Sequence, residues 1–475
     1  MPTATDLRPP TSPLTADCYC PPHMLRLHHY LEKYPLFRDR ILPLIASPTR
    51  RRLASGAFWA GVGGVLSRGI VVIASFIIAR ILGQTQFGEY GVVNSTAAML
   101  SAVAGFGVGT TATKYVAELK FKDQKRAGRI IALSSMITWI SGALYGIVFI
   151  AFAPWLAEKT LAAPHLAGLL RISAISVALG VINGAQTCSL AGFEAFRVSA
   201  VINTGCGILQ AFFVVLGAYW GGVKGAVVGM AVSTCITVIT TSWLLRKEMA
   251  RFGIRNWWRD AWSEWPVLVK FSLPAFLITM VAGPVTWAGN AILANQPNGY
   301  GELGVLNATT QWYAAVAFLP SLITTAALPV FAERYGANDS SSSLRIMKRM
   351  MGMTALAVIP LLIVLSLFSK MIMQAYGTGF ESGYRVLILS ILTAGVHAIV
   401  TPCWYFLMAS GRMWVCLLMN MGWGVIFLVA LLALVKFGAE GVAGTRLMAY
   451  VLHGLAIALY VLFFVRKEVK ISSVA

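Results

Sequence analysis

Twelve apolar runs fill this chain between positions 56 and 465, each long enough to cross a roughly 30 Å hydrocarbon core as about 20 residues of α-helix. They lie at approximately 56–82, 92–113, 130–152, 169–190, 199–219, 225–245, 267–291, 305–331, 351–373, 385–408, 414–435 and 442–465. In lipid the backbone must satisfy its own hydrogen bonds, and runs of this length do so as helices. The connections average roughly 15 residues when each span takes about 20, which is too short for a folded soluble domain. Composition agrees: 57% of the 475 residues are hydrophobic and 12% charged, against roughly 45–50% and 25% in soluble domains. The expected fold is an all-α integral membrane protein with 12 transmembrane helices. No G-x-x-x-x-G-K-[ST] phosphate loop occurs, so transport would draw on a gradient or a partner. Neither enzymatic activity nor a cofactor is expected.

The 38 basic and 18 acidic residues give a formal net charge of +20. Their positions point to lipid rather than nucleic acid. Cytoplasmic loops carry the excess of Lys and Arg, and the N-terminal tail, every second loop and the C-terminal tail together hold 28 of the 38. Both termini are therefore expected in the cytoplasm. Arg80, Arg171, Lys270, Lys370, Arg385 and Arg446 lie near the ends of runs and read as anchors that snorkel to the headgroups. Between the sixth and seventh runs, Trp257, Trp258, Trp262 and Trp265 stand beside Arg255 and Arg259. Residues 249–266 thus read as an amphipathic linker at the inner headgroup layer.

Residues 1–54 are polar and rich in Pro, without the apolar core of a signal peptide. They are expected to be a partly disordered cytoplasmic extension, with a surface helix over 24–45 where Leu, Tyr, Phe and Ile mix with Arg26, Lys33, Arg38 and Arg40. Cys18 and Cys20, followed by His23, His28 and His29, match no standard zinc spacing, and no metal site is expected. The other cysteines, Cys188, Cys206, Cys235, Cys403 and Cys416, lie in or beside apolar runs and read as packing residues.

The chain is duplicated across the linker. Gly88-Glu89-Tyr90-Gly91-Val92-Val93-Asn94-Ser95-Thr96 reappears as Gly301-Glu302-Leu303-Gly304-Val305-Leu306-Asn307-Ala308-Thr309, with six identities in nine at an offset of 213. Asn203 to Gly207 matches Asn420 to Gly424, Gly222-Val223-Lys224-Gly225 matches Gly438-Ala439-Glu440-Gly441, and Arg246 to Glu248 matches Arg466 to Glu468. The order is shared and the offsets run only from 213 to 220, which gives two six-helix lobes at 55–248 and 267–475. An even number of spans per lobe puts the pseudo-twofold axis along the membrane normal, with a binding site at the midplane between the lobes.

Charge within a span is costly and normally faces a cavity or a partner. Arg68 sits near the middle of the first run. Two readings stand: it holds backbone carbonyls of a neighbouring helix, or it binds an anion in a central cavity. No Asp or Glu lies in the middle of any run, so such a cavity suits an anion, and a guanidinium matches a phosphate with two parallel hydrogen bonds. Asn94, Asn183, Gln186, Asn290, Asn307, Gln311, Trp312 and Tyr313 are the candidates to line it, and each also reads as an interhelical hydrogen-bonding or packing group. His397 and His453 are candidates for coupling-ion (proton) relay, against the alternative of a histidine satisfied by a backbone carbonyl.

The stretch from Ala79 to Glu118, ARILGQTQFGEYGVVNSTAAMLSAVAGFGVGTTATKYVAE, resembles the first two helices of bacterial polysaccharide flippases, the O-antigen and exopolysaccharide translocases of the multidrug/oligosaccharidyl-lipid/polysaccharide exporter superfamily. Lys270 to Pro274 (KFSLP), Ala326 to Gly336 (AALPVFAERYG) and Ala191 to Arg197 (AGFEAFR) agree with the same pattern, in order. The resemblance implies a multi-pass protein of the bacterial inner membrane. Its function would be to flip an undecaprenyl-pyrophosphate-linked oligosaccharide from the inner to the outer leaflet, with membrane lipid and a polysaccharide polymerase or glycosyltransferase as partners. By resemblance Arg68 matches a cavity arginine of helix 1. The N-terminal extension departs from the pattern. A cation-coupled multidrug antiporter of the same superfamily and a non-transporting scaffold for glycan assembly are the alternatives, the former commonly using buried acids that this chain lacks.

Overall fold

The computed structural model describes residues 48–105, 108–255, 258, 260–267, 280–325 and 340–472. The surface helix expected at 24–45, the Cys18–Cys20 tract, Trp257, Arg259 and the motifs at 270–274 and 326–336 lie outside the described residues. Contacts divide the chain into two compact units, Met1–Phe58 and Trp59–Ala475, and all packing considered below belongs to the second.

Among the described residues there are helices and no strand. The principal ones are α1 (Pro48–Ala104), α2 (Val108–Leu119), α3 (Gln124–Trp155), α4 (Ala167–Gly192), α5 (Phe196–Arg251) and α6 (Ala282–Ala294). They continue with α7 (Gly299–Thr325), α8 (Ser340–Leu367), α9 (Ser369–Ala375), α10 (Tyr384–Ala409), α11 (Met413–Leu434) and α12 (Gly438–Ser472). Among the described residues seven stretches are long and apolar enough to cross a membrane; six of the twelve apolar runs lie wholly within them and four more lie mostly within them. The remaining two runs, 267–291 and 305–331, are only partly described.

Three of the seven stretches are 44, 54 and 51 residues long: Gly61–Ala104, Val198–Arg251 and Met413–Phe463. At about 1.5 Å per residue each is roughly 65–80 Å of helix, more than twice the hydrocarbon thickness. Each is broken at glycine: at Gly83 (φ 73°), at Gly221 and Gly222 (φ 55° at the latter), and at Gly438 (φ 63°). At the second break the backbones of Gly217 and Gly225 meet directly, so the two arms of α5 return against one another.

The duplication is visible in backbone geometry. Gly222 (φ 55°, ψ −140°) and Gly438 (φ 63°, ψ −141°) open the two matching Gly-x-x-Gly segments and adopt the same conformation, one essentially reserved for glycine. Helix α4 contacts α2, α3 and α5; α10 contacts α7, α8, α11 and α12, and α6 packs on α7 and α11. Small residues make these approaches possible, as at Ala79, Val93, Ala226, Ala308, Ala394 and Ala449, all fully buried. Large apolar side chains such as Ile73, Trp139, Leu356, Leu432 and Leu459 are exposed instead. That inversion of the soluble pattern fits helices solvated by lipid.

Between α5 and the seventh apolar run the described side chains divide by burial. Trp258, Trp262 and Trp265 are exposed, while Ala261 and Glu264 are buried. Glu264 is held by Arg126 Nε at 3.1 Å and Arg129 Nη2 at 3.0 Å, both from the first turns of α3. Asp123 caps that helix by accepting from the Arg126 N–H at 2.9 Å.

Candidate substrate-binding site

The two halves meet through the elements flanking Gly83, Thr160, Asn295 and Ala375. Ser75 Oγ and Tyr376 Oη share a hydrogen bond of 3.0 Å. Arg80 Nε donates to the Ala375 carbonyl at 2.8 Å, and Gln84 Nε2 to that of Gly301 at 3.1 Å. Trp287 Nε1 donates to Thr96 Oγ1 at 2.9 Å, Asn295 Nδ2 to the Thr160 carbonyl at 2.7 Å, and Tyr300 Oη to the Leu161 carbonyl at 2.7 Å. Burial, with the Glu89 carboxylate second, pushes the Tyr300 phenol up from its ordinary value, which keeps this hydroxyl a donor. The duplicated motif is itself part of the seam: the Asn307 amide rests on the backbone of Gly91, and Gly304 rests on the Gln84 carbonyl. Among the described residues, the hydrogen bonds between the halves gather at this one end of the bundle.

Deeper along α1 the helix has two faces. Ile70, Ile73, Ile77 and Ile81 line an apolar groove with Phe212, Val215, Leu216 and Tyr219 of α5. At about 100° per residue Arg68 stands roughly half a turn round from Ile77, on the other face. It is exposed, and its guanidinium lies 6.0 Å from the centroid of the Phe318 ring on α7. Phe318 in turn packs against Gly64, one turn before Arg68. Arg68 therefore stands at the junction of the two halves, well into the span. Among the described residues the acidic groups lie at or beyond helix ends, and none forms an ion pair with Arg68.

The other residues singled out in the sequence separate into three places. Asn290, Asn307 and Trp312 join Arg68 at the junction: Asn290 Nδ2 is 3.4 Å from Ser95 Oγ, and Trp312 meets Phe76 edge-on at 6.3 Å. Asn94 is exposed one residue before Ser95, and Gln311 lies one turn beyond Asn307 on α7. Asn183 and Gln186 sit inside the first half, where Gln186 Nε2 donates to Ser242 Oγ at 2.7 Å and ties α4 to α5. Tyr313, His397 and His453 belong to the second half. His453 Nδ1 is 3.1 Å from the Met419 carbonyl, the backbone partner that was the alternative to a relay role.

Arg446, which reads as an anchor from its position in the sequence, stands in an aromatic setting. Arg446 of α12 lies 4.5 Å over the ring of Tyr313, whose hydroxyl is 2.9 Å from His397 Nδ1. His397 also stacks parallel to Tyr313 at 6.3 Å and packs on Tyr450 at 5.1 Å. One signal was present: Arg446, Tyr450 and His453 are spaced i, i+4 and i+7 and so share a helix face. Lys120 is a buried cation, paired with Glu194 at 2.9 Å within the first half.

Comparison with known proteins agrees with this architecture. Residues 53–334 match the family model described as polysaccharide biosynthesis protein. The chain is 26% identical over 417 residues to the EPS I polysaccharide export inner membrane protein EpsE of Ralstonia solanacearum, covering 85% of this chain and 92% of that protein. It is 25% identical over 264 residues to the lipid III flippase of Escherichia coli K12, covering 53% of this chain and 60% of the flippase. The fold resembles the inward-facing conformation of a multidrug resistance MATE family transporter of the MOP superfamily, with a TM-score of 0.71 at 14% identity over 85% of this chain and 96% of that one. These relatives are transporters and flippases rather than enzymes. The family model spans more than half of the chain, which therefore belongs to the polysaccharide biosynthesis protein family.

Proposed function

We propose that this membrane transporter flips a lipid-linked oligosaccharide from the inner to the outer leaflet of the bacterial inner membrane. Twelve spans in two six-helix lobes, with both termini cytoplasmic, rock about the seam between them. The hydrogen-bonded end of that seam is the outer one in this reading, since the excess of Lys and Arg lies at the other end. Interhelical hydrogen bonds in membranes average only about 0.6 kcal/mol each, so a seam of several holds one state without locking it.

The observation that carries the proposal is Arg68: a guanidinium well inside a span, exposed at the lobe junction, without a carboxylate partner among the described residues. A pyrophosphate is the group that would compensate it, through paired N–H donors. Asn94, Asn290, Asn307 and Gln311 would meet sugar hydroxyls nearby. The polysaccharide export protein and the lipid III flippase among the relatives support a cargo of this class.

The test is a deletion strain. Lipid extracts should accumulate the lipid-linked intermediate on the cytoplasmic leaflet, with surface polysaccharide lost. Normal surface polysaccharide together with altered drug susceptibility would overturn the reading in favour of an antiporter.

A further inference from the structure

Arg446 stands apart from Arg68. On α7, Tyr313 and Phe318 differ by five positions, so they point about 140° apart and lie about 7.5 Å apart along the axis. Phe318 meets Arg68 from the other half, whereas Tyr313 turns into its own half toward Arg446 of α12 and His397 of α10. The Nε atom of Arg446 is buried and has no hydrogen-bond partner. Among the described residues no carboxylate pairs with it, the nearby acid on the same helix, Glu440, being paired with Arg385 instead at 3.8 Å. His397 is exposed although it lies mid-helix in α10, so the cluster is reachable from one side.

A half-buried guanidinium within a span, with no carboxylate partner among the described residues, calls for an anion. Charge alone does not choose the anion, since Arg68 makes the same demand at the lobe junction. The surrounding rings add a second requirement. Tyr313, His397 and Tyr450 form an aromatic wall, backed by Trp423 at 5.2 Å from Tyr450, and such faces pack against the C–H surface of a pyranose. We infer that Arg446, Tyr313 and His397 form a second site within the C-terminal half, and that it takes a carboxylate-bearing sugar of the cargo. Arg446 would hold the carboxylate, Tyr313 and Tyr450 the ring, and His397 would fix the Tyr313 hydroxyl.

This inference rests on the cargo being a glycan, and its experiment is separate from the deletion strain. Saturation-transfer NMR on the purified full-length protein, with free glucuronate, glucose and inorganic pyrophosphate as probes, reads the site directly. Glucuronate should bind at least about tenfold more tightly than glucose, a difference of about 1.4 kcal/mol. Pyrophosphate should not displace it, because the two anions occupy different sites. Arg446→Gln should weaken glucuronate about tenfold or more. If that variant does not fold, Arg446→Lys carries the test, since it keeps the charge and loses the planar fork, and should weaken binding severalfold at an unchanged melting midpoint. Equal binding of glucose and glucuronate, displacement by pyrophosphate, or unchanged affinity in the folded Arg446 variant would each overturn the site. A strain that accumulates lipid-linked intermediate while its protein ignores glucuronate would leave the flippase reading intact and remove this one.

Discussion

Asn307 lays its side-chain amide on the backbone of Gly91, at a point where a Cβ would have no room. Both residues belong to the duplicated motif, so pseudo-symmetry would pair their counterparts, Gly304 and Asn94, in the same way. It does not: Gly304 rests on the Gln84 carbonyl, and Asn94 is exposed. The seam is built from equivalent segments used differently. Gly91→Ala should therefore destabilise the purified protein by about 1–3 kcal/mol through overpacking. Combining it with Asn307→Ser should recover most of the loss. Thermal unfolding of the two variants and the double variant checks this, and additive losses would disprove the contact.

Gly222 and Gly438 occupy the same positive-φ conformation at equivalent turns. Alanine at either should cost about 1–3 kcal/mol from backbone strain. Gly444 is the control, since a Cβ there meets nothing within 4 Å and alanine favours the helix by up to about 1 kcal/mol. Melting midpoints should fall for the first two and hold or rise for the third.

Glu264 ties the linker to α3 through Arg126 and Arg129. Both arginines are partly exposed, so solvent screening trims the value of the pair. Glu264→Gln should still cost about 2 kcal/mol, because charged hydrogen bonds are lost from a buried group. Faster protease cleavage between Arg251 and Trp265 in the variant would report the released linker.

The spans were legible because lipid imposes one requirement on each, a continuous apolar length, and that requirement is written locally. The repeat was legible for a related reason: Gly222 and Gly438 take the same backbone conformation, one that glycine alone adopts readily, and the sequence shows a glycine at both places. The site was only partly legible. Arg68 could be located by depth alone, but Asn183 and Gln186 cannot be told from cavity-lining residues until α5 supplies Ser242. Arg446 is a different case. Its distance from the end of the run suggested snorkelling, and nothing local reveals that Tyr313, 133 positions earlier, turns its ring beneath the guanidinium. Which face of a lipid-solvated helix turns inward is decided by its neighbours, and a uniformly apolar sequence does not record that choice.

Topology can be tested at exposed positions in opposite loops. Pro297 lies in the turn before α7, and Lys122 in the turn before α3. If both termini are cytoplasmic, Pro297→Cys should react with an impermeant thiol reagent added outside intact spheroplasts. Lys122→Cys should react only after permeabilisation. The reverse pattern would invert the assignment, and with it the identification of the hydrogen-bonded seam as the outer one.

Arg68 offers the sharpest contrast between a role in cargo binding and a role in the fold. Placing an arginine at the centre of a helix costs about 2.5–3.5 kcal/mol on insertion scales, and the ring of Phe318 at 6.0 Å returns only about 0.5–2 kcal/mol as a cation–π contact. The difference is unfavourable unless something else binds the guanidinium. If that partner is the pyrophosphate of the cargo, Arg68→Ala should insert and express as well as the parent, or better, and lose flipping. Arg68→Lys should retain part of the activity, since it keeps the charge and loses the bidentate fork. A residue serving only the fold would give the opposite ranking, with Arg68→Ala poorly expressed and whatever protein remains active. Quantifying membrane-inserted protein alongside surface polysaccharide in the same strains separates the two, and full polysaccharide from a normally expressed Arg68→Ala protein would remove Arg68 from the binding site.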